Sequence, residues 1–253
     1  MWKLLSGSRW LLFTWIVFSL QTAAADTSVN DDLKILVYGA SGKVGSHVVD
    51  EALNRGHRVT AVSRDPSKIT IVHDQLLVAR GDVLDPHSVA GLVAGQDVVI
   101  VSVRGVAGDS KDPADAVPFL AVENVVDALR ALGKGAPRLI HVGGAGSLEI
   151  APGVLLADRL PRLFMPKNLE LEIDGQVLAL EYLRGVTDVD WTYVSPPRNF
   201  TRGKRTGHFR IGGDQLMEDA QGRSRVSRAD FAVALINEAE NPQYIRRRFS
   251  VAY

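Results

Sequence analysis

From Leu33 onward, short apolar and β-branched runs alternate with stretches whose apolar residues recur every three or four positions. The first run, Lys34-Ile35-Leu36-Val37-Tyr38, is apolar on successive positions, as expected of a strand covered on both faces. After a glycine-rich turn, Val44, Val48, Val49 and Ala52 keep helical spacing until Gly56, which suits a helix C-terminus. Further strands are predicted at 59–62, 76–79, 98–103, 139–142, 191–194 and 249–252, and helices at 118–132 and 176–183. A last helix starts after Ser227, where Ser227 and Asp230 read as a Ser-x-x-Asp cap. Strands alternating with helices predict an α/β chain: a Rossmann-type, doubly wound, mostly parallel sheet with helices on both faces.

Two stretches, near 147–169 and 196–221, fit neither period. Each follows a strand, and ligands of open parallel sheets sit beyond the carboxyl ends of the strands. Both are therefore expected to rim a substrate site; Arg202, Lys204 and Arg205 lie in the second and read as a solvated loop, with an anionic ligand as the alternative.

The start of the chain breaks the alternation. Lys3 and Arg9 precede an apolar run from Trp10 to Leu20, and Ala23-Ala24-Ala25 precedes Asp26, the three-part order of a secretory signal peptide. The expected organisation is a signal peptide at 1–25, a short linker at 26–33 and a Rossmann domain at 34–253. This places the protein outside the cytoplasm, secreted or periplasmic. An uncleaved segment would anchor it to a membrane, and a start site further downstream would leave it cytoplasmic.

The 253 residues include 29 Lys+Arg, 29 Asp+Glu and no cysteine. Balanced charge excludes a dedicated nucleic-acid binder, which needs basic excess to displace phosphate counterions; the Arg246-Arg247-Arg248 run reads as solvent-facing. The six histidines form no ligand-spaced cluster, so no metal site is expected. A small molecule is the expected partner, and oligomeric state is not legible.

The candidate chemistry lies at Gly39-Ala40-Ser41-Gly42-Lys43-Val44-Gly45, a G-x-x-G-x-x-G spacing between the first strand and first helix. Glycines let the backbone approach a pyrophosphate, and the unpaired N–H groups at a helix start favour an anion. After the second strand comes Ser63-Arg64-Asp65-Pro66, where Arg64 suits a 2′-phosphate with Lys68 close in sequence. Asp65 either caps the turn at Pro66 or meets a ribose. In Gly81-Asp82-Val83, Asp82 is placed to accept from an adenine amine, while Asp85 before Pro86 reads as a helix cap. Ser102 and Val103 after the fourth strand, and Gly143 and Gly144 after the fifth, leave space for ribose and nicotinamide.

Taken together, these residues resemble the atypical short-chain dehydrogenase/reductase superfamily, in its NAD(P)H-binding group described as NADH-flavin reductases. The resemblance runs from about Lys34 to Tyr253, through the glycine motif, Val142-Gly143-Gly144-Ala145-Gly146-Ser147-Leu148, Asp190-Trp191-Thr192-Tyr193-Val194-Ser195-Pro196, Thr206-Gly207-His208-Phe209-Arg210 and Ser227-Arg228-Ala229-Asp230-Phe231. It implies NADP(H) in preference to NAD(H), with Gly39, Ser41, Gly42, Lys43, Val44 and Gly45 near the phosphates, Arg64 at the 2′-phosphate and Asp82 at the adenine.

The superfamily's proton donor is a Tyr-x-x-x-Lys pair, and none of Tyr38, Tyr182, Tyr193 or Tyr244 has lysine four residues on. A flavin (FMN or FAD) or a quinone can accept hydride without that donor. Hydride transfer from NADPH to such a planar acceptor is therefore the expected activity, with Ser147, His141, Lys167 and Asn168 as catalytic candidates. A non-enzymatic NADP(H)-binding redox sensor is the alternative.

Overall fold

The computed structural model describes residues Asp32–Tyr253, which form one of the chain's two units; the predicted signal peptide and most of the linker lie outside the described residues. In chain order the larger elements are β1 (Lys34–Tyr38), α1 (Gly45–Asn54), β2 (Arg58–Ser63), β3 (Leu76–Arg80), α2 (Pro86–Val93), β4 (Val98–Val101), α3 (Val117–Leu132), β5 (Arg138–Val142), β6 (Glu149–Ala151), β7 (Val154–Leu155), α4 (Lys167–Gly185), β8 (Trp191–Ser195), β9 (Asn199–Thr201), β10 (Arg210–Gly212), β11 (Arg225–Ser227), α5 (Arg228–Glu240) and β12 (Arg247–Ala252).

Eight strands make the central sheet in the order β10-β12-β8-β5-β4-β1-β2-β3, all parallel except β10, which pairs antiparallel with β12. The order reverses between β1 and β4, whose registers pair Ile35 with Val98 and Tyr38 with Val101. That reversal opens a crevice at the carboxyl ends of the strands.

Burial on both faces explains the apolar runs. Along β1, Ile35 and Val37 face one core with Val48, Val49 and Ala52 of α1 and Phe231 and Leu235 of α5. Leu36 and Tyr38 face the other, with Val89 of α2, Val122 and Val126 of α3 and Leu180 of α4. Each fully buried side chain of this kind contributes about 1.5–3 kcal/mol. A one-residue slip of β1 would exchange the two faces at little hydrophobic cost, so register rests on the flanking turns as well as on burial.

All seven predicted strands and the four predicted helices form. Strand β4 stops at Val101, two residues short of the expected end, because Ser102 and Val103 turn into the crevice. Helix α4 begins at Lys167, nine residues before the apolar pattern suggested, since its first turns border the crevice and carry Glu170, Glu172 and Asp174. The irregular stretches contain structure that periodicity does not reveal: β6 and β7 form a small antiparallel pair, and β9 pairs parallel with β11. Leu33, assigned to the linker, packs against the core, and Asp32 pairs with Arg58 at 2.9 Å.

Ser227 caps α5 by accepting from the Asp230 N–H at 3.0 Å, but the reciprocal half of the expected cap is absent. The Asp230 carboxylate is instead buried under donors from Thr206 N (2.7 Å), Thr206 Oγ1 (2.6 Å), Gly207 N (2.8 Å) and Tyr253 Oη (2.6 Å). Desolvation opposes its charge, yet these donors outweigh it and hold the carboxyl below its ordinary range.

The arginine run also departs from expectation. Arg247 is exposed, whereas the Arg248 side chain is 2% exposed and pairs with Asp214 while donating to the Ser147 carbonyl at 3.0 Å. Arg246 sits at φ +53°, which turns its neighbour inward. No described helix is long and apolar enough to cross a membrane.

Candidate active site

The crevice is a cavity of about 670 Å³, within the range of small-molecule sites. Its walls are the turns that leave β1, β2, β3, β4, β5 and β8, together with the inward face of α4.

At the end nearest α1 the wall is backbone. Gly39 has φ +76°, and a Cβ there would lie 2.1 Å from the Ser102 carbonyl oxygen, so only glycine fits between β1 and β4. A Cβ on Gly45 would meet the Gly39 carbonyl oxygen at 2.2 Å, which lets α1 start directly against the turn. Helix α1 has no side-chain cap and no acid in its first turn, while α2 and α5 are capped by Asp85 and Ser227. Its first N–H groups are thus left for an anion, beside Lys43.

Across this end, Ser41 Oγ lies 3.3 Å from Ser63 Oγ. Arg64 lines the cavity and has no ion-pair partner among the described residues. Asp65 is committed elsewhere: its carboxylate accepts from Ser67 N (3.3 Å) and Ser67 Oγ (2.6 Å) and pairs with Lys68 at 3.6 Å, so the turn-cap role is the one observed. Lys68 is accordingly engaged with Asp65 and does not line the cavity. Asp82 and Val83 line it, although Asp82 Oδ1 also accepts from Leu84 N at 3.0 Å. Asp85 caps α2 through His87 N at 3.0 Å, as expected.

Of the thirteen residues proposed for cofactor binding, the structure brings Gly39, Ser41, Gly42, Lys43, Val44, Arg64, Asp82, Val83, Ser102, Val103, Gly143 and Gly144 onto this one cavity. Gly45 lies behind the turn. The bare backbone cradle, the uncapped helix and a cation with no ion-pair partner among the described residues fit a dinucleotide; α1 would face its phosphates, Arg64 a ribose and Asp82 the adenine. Among the described residues no acid and histidine group could hold a metal ion.

The other end is made of side chains. Val117, Leu156, Leu160, Ile173, Pro196 and Phe200 supply apolar surface, and Arg104 pairs with Glu172 at 2.7 Å. Gly143 must be glycine because a Cβ would lie 2.0 Å from the Tyr193 ring, which fills the space beneath it. Tyr193 Oη accepts from Gly144 N at 3.2 Å and donates to the Gln176 carbonyl at 2.9 Å.

The catalytic candidates lie off the cavity wall. His141 is fully buried in β5, with Nε2 3.1 Å from Gln176 Oε1, and burial lowers its pKa to about 4. Ser147 is buried and donates to the Gly144 carbonyl at 2.8 Å. Lys167 is exposed and paired with Glu170 at 3.1 Å; Asn168 is exposed. Arg205 is bound to the buried Glu51 at 2.7 Å, and none of Arg202, Lys204 and Arg205 reaches the cavity. Burial pushes the Tyr38 and Tyr193 hydroxyls up, the opposite of what a tyrosine acid requires.

Sequence reasoning missed Arg104, Glu172, Ile173, Gln176 and Phe200. A signal existed for Gln176: it falls on the buried stripe of α4 with Leu171, Ala179, Leu180 and Leu183, where an apolar residue is expected.

The model of the NAD(P)H-binding family matches residues 39–242. A crystal structure of a candidate epimerase from Bacteroides thetaiotaomicron is 35% identical, with 87% of this chain and 97% of that one covered and a TM-score of 0.77. A candidate exported protein from Burkholderia pseudomallei is 36% identical over 87% of this chain and 100% of its own, with a TM-score of 0.73. A candidate NADH-flavin reductase from Streptococcus pneumoniae is 28% identical over 87% and 99%, with a TM-score of 0.69. The glycine turn on β1, the reversal of strand order above it and these likenesses agree: the chain belongs to the NAD(P)H-binding family of oxidoreductases, among the atypical short-chain dehydrogenase/reductases of Rossmann fold.

Proposed function

We propose that the protein transfers hydride from NADPH to a flavin, a quinone or a similar planar acceptor. The observation that carries this reading is the make-up of the cavity's second end. Helix α4 presents Glu172, Ile173 and Gln176 there, and the sequence holds no Tyr-x-x-x-Lys pair to supply an acid. Reduction of an isolated carbonyl needs such an acid, whereas a planar conjugated acceptor spreads the incoming charge and takes its proton from water. The apolar wall of Leu156, Leu160, Ile173 and Phe200 suits a flat ring. The name of the Streptococcus pneumoniae relative supports a flavin as one such acceptor.

NADP(H) is favoured over NAD(H) because Arg64 lines the cavity with no ion-pair partner among the described residues, while Asp65 is spent on Ser67 and Lys68. Export is favoured by the N-terminal segment and supported by the name of the Burkholderia pseudomallei relative. Mass analysis of the N-terminus of the mature chain checks this, with Asp26 as the expected first residue.

The test of function is NADPH and NADH binding followed by acceptor-dependent oxidation with FMN, FAD and quinones. Tighter binding of NADPH and turnover with at least one acceptor is the expected result. Binding without turnover would instead support the sensor reading, which the missing Tyr-x-x-x-Lys pair also favours.

A further inference from the structure

Gln176 is 6% exposed, yet it borders the cavity. Its amide is oriented from behind. Oε1 lies 3.1 Å from His141 Nε2 and 3.3 Å from Tyr193 Oη. His141 is wholly buried and neutral near pH 7, and its Nδ1 has no partner. A neutral imidazole carries one N–H, and burying that donor unpaired costs more than leaving a lone pair empty; the proton therefore sits on Nε2 and is donated to Gln176 Oε1. With the oxygen pinned toward His141, the amide nitrogen faces the other way. One of its two N–H groups reaches the Val142 carbonyl at 3.4 Å; the second has no partner among the described residues, and Gln176 is one of the residues that line the cavity. Gly144 keeps this surface bare, since a Cβ there would stand 3.2 Å from Gln176 Cβ.

We propose that Gln176 orients and polarises the acceptor: its remaining side-chain N–H donates to a carbonyl oxygen of the bound flavin or quinone, while His141 acts as a positioning residue that keeps the amide turned that way. This rests on the hydride-transfer reading above. Gln176 moves no proton; NADPH supplies the hydride with its electron pair, and water entering at the mouth supplies the proton that neutralises the reduced acceptor. A preorganised donor at the oxygen where charge collects lowers the barrier without reorganising.

The experiment has two arms on the full chain. In the first, the Gln176 side-chain amide signal is identified in a nitrogen-edited NMR spectrum by its loss in Gln176→Met, and FMN or menadione is added to the NADP⁺-bound protein. The expected result is a shift of that signal with at least one probe. In the second, Gln176→Met and Gln176→Glu are compared with wild type for NADPH affinity and for kcat with the same acceptors. Both variants are expected to hold NADPH within about 2-fold and to lose about 10- to 100-fold in kcat, less than removal of a full oxyanion-hole donor. His141→Phe, which frees the amide to turn over, is expected to keep NADPH affinity and raise the KM for the acceptor. An unmoved Gln176 signal at saturating probe, or variants that turn over like wild type, would overturn the proposal. A shifted signal in a protein that oxidises no NADPH would keep the hydrogen bond and sink the reductase reading, and failure to bind either probe would sink both.

Discussion

The two ends of the cavity are built differently. The end proposed for the cofactor is made of main chain: Gly39, Gly42 and Gly45 fold a turn within seven residues, and α1 leaves its first N–H groups uncapped. The end proposed for the acceptor is backed by side chains that meet from far apart, His141, Gln176 and Tyr193, and further out the same kind of network joins Arg248 and Asp214 behind Ser147, and Asp230 with Thr206 and Tyr253 beside the irregular stretch. A backbone site is disturbed chiefly by adding atoms. A side-chain network is disturbed by removing them, because each lost partner leaves a buried polar group alone.

The largest expected effect falls on the network. Asp230→Ala strips the acceptor from Thr206, Gly207 and Tyr253, and unfolding free energy is expected to fall by roughly 3–4 kcal/mol in a urea titration, with NADPH affinity of the folded protein retained. Unchanged stability would mean that these donors do not depend on the buried carboxylate.

His141 gives a pH signature of similar size. Its pKa falls from 6.5 to about 4 on burial, so the unfolded chain binds a proton that the folded chain refuses. The contribution is complete above pH 6.5, declines as pH falls through that value and is exhausted below pH 4, a span worth about 3 kcal/mol. Unfolding free energy measured between these limits is expected to lose most of this slope in His141→Phe.

The backbone end is probed by addition. A Cβ on Gly42 would stand 2.9 Å from the Gly39 carbonyl oxygen, and an aspartate there adds a charge that repels phosphate. Gly42→Asp is expected to weaken NADPH binding by about 100-fold, about 2.7 kcal/mol, in fluorescence titration. Equal binding would move the phosphates away from α1.

The smallest effect is on selectivity. Arg64→Ala is expected to cost about 10-fold in NADPH affinity, about 1.4 kcal/mol, and to leave NADH affinity within about 2-fold. An equal loss for both nucleotides would show that Arg64 meets something other than the 2′-phosphate.

Much of the fold was legible because parallel strands buried on both faces announce themselves as apolar runs, and Ile35 to Val37, Val98 to Val101 and Leu139 to Val142 each do. The glycine turn was legible for the same local reason. The start of α4 was not, since its first turns are half exposed and follow no apolar period. The cap at Ser227 was half legible: the Ser227 contact is local, but the destination of the Asp230 carboxylate depends on residues 24 and 23 positions away in Thr206 and Tyr253.

The sequence by itself determined the alternation of strands and helices, the glycine turn ahead of α1 and the cations and small residues that follow the strands, because all are set by neighbours within a few positions. Only the tertiary structure decided that Arg248 is buried on Asp214, that Asp230 is buried under Thr206 and Tyr253, that His141 faces Gln176 away from solvent, and that Gln176 reaches the cavity. Those outcomes are choices among hydrogen-bond partners of similar intrinsic strength, and what selects among them is which groups the packed sheet brings within about 3 Å once water has been excluded.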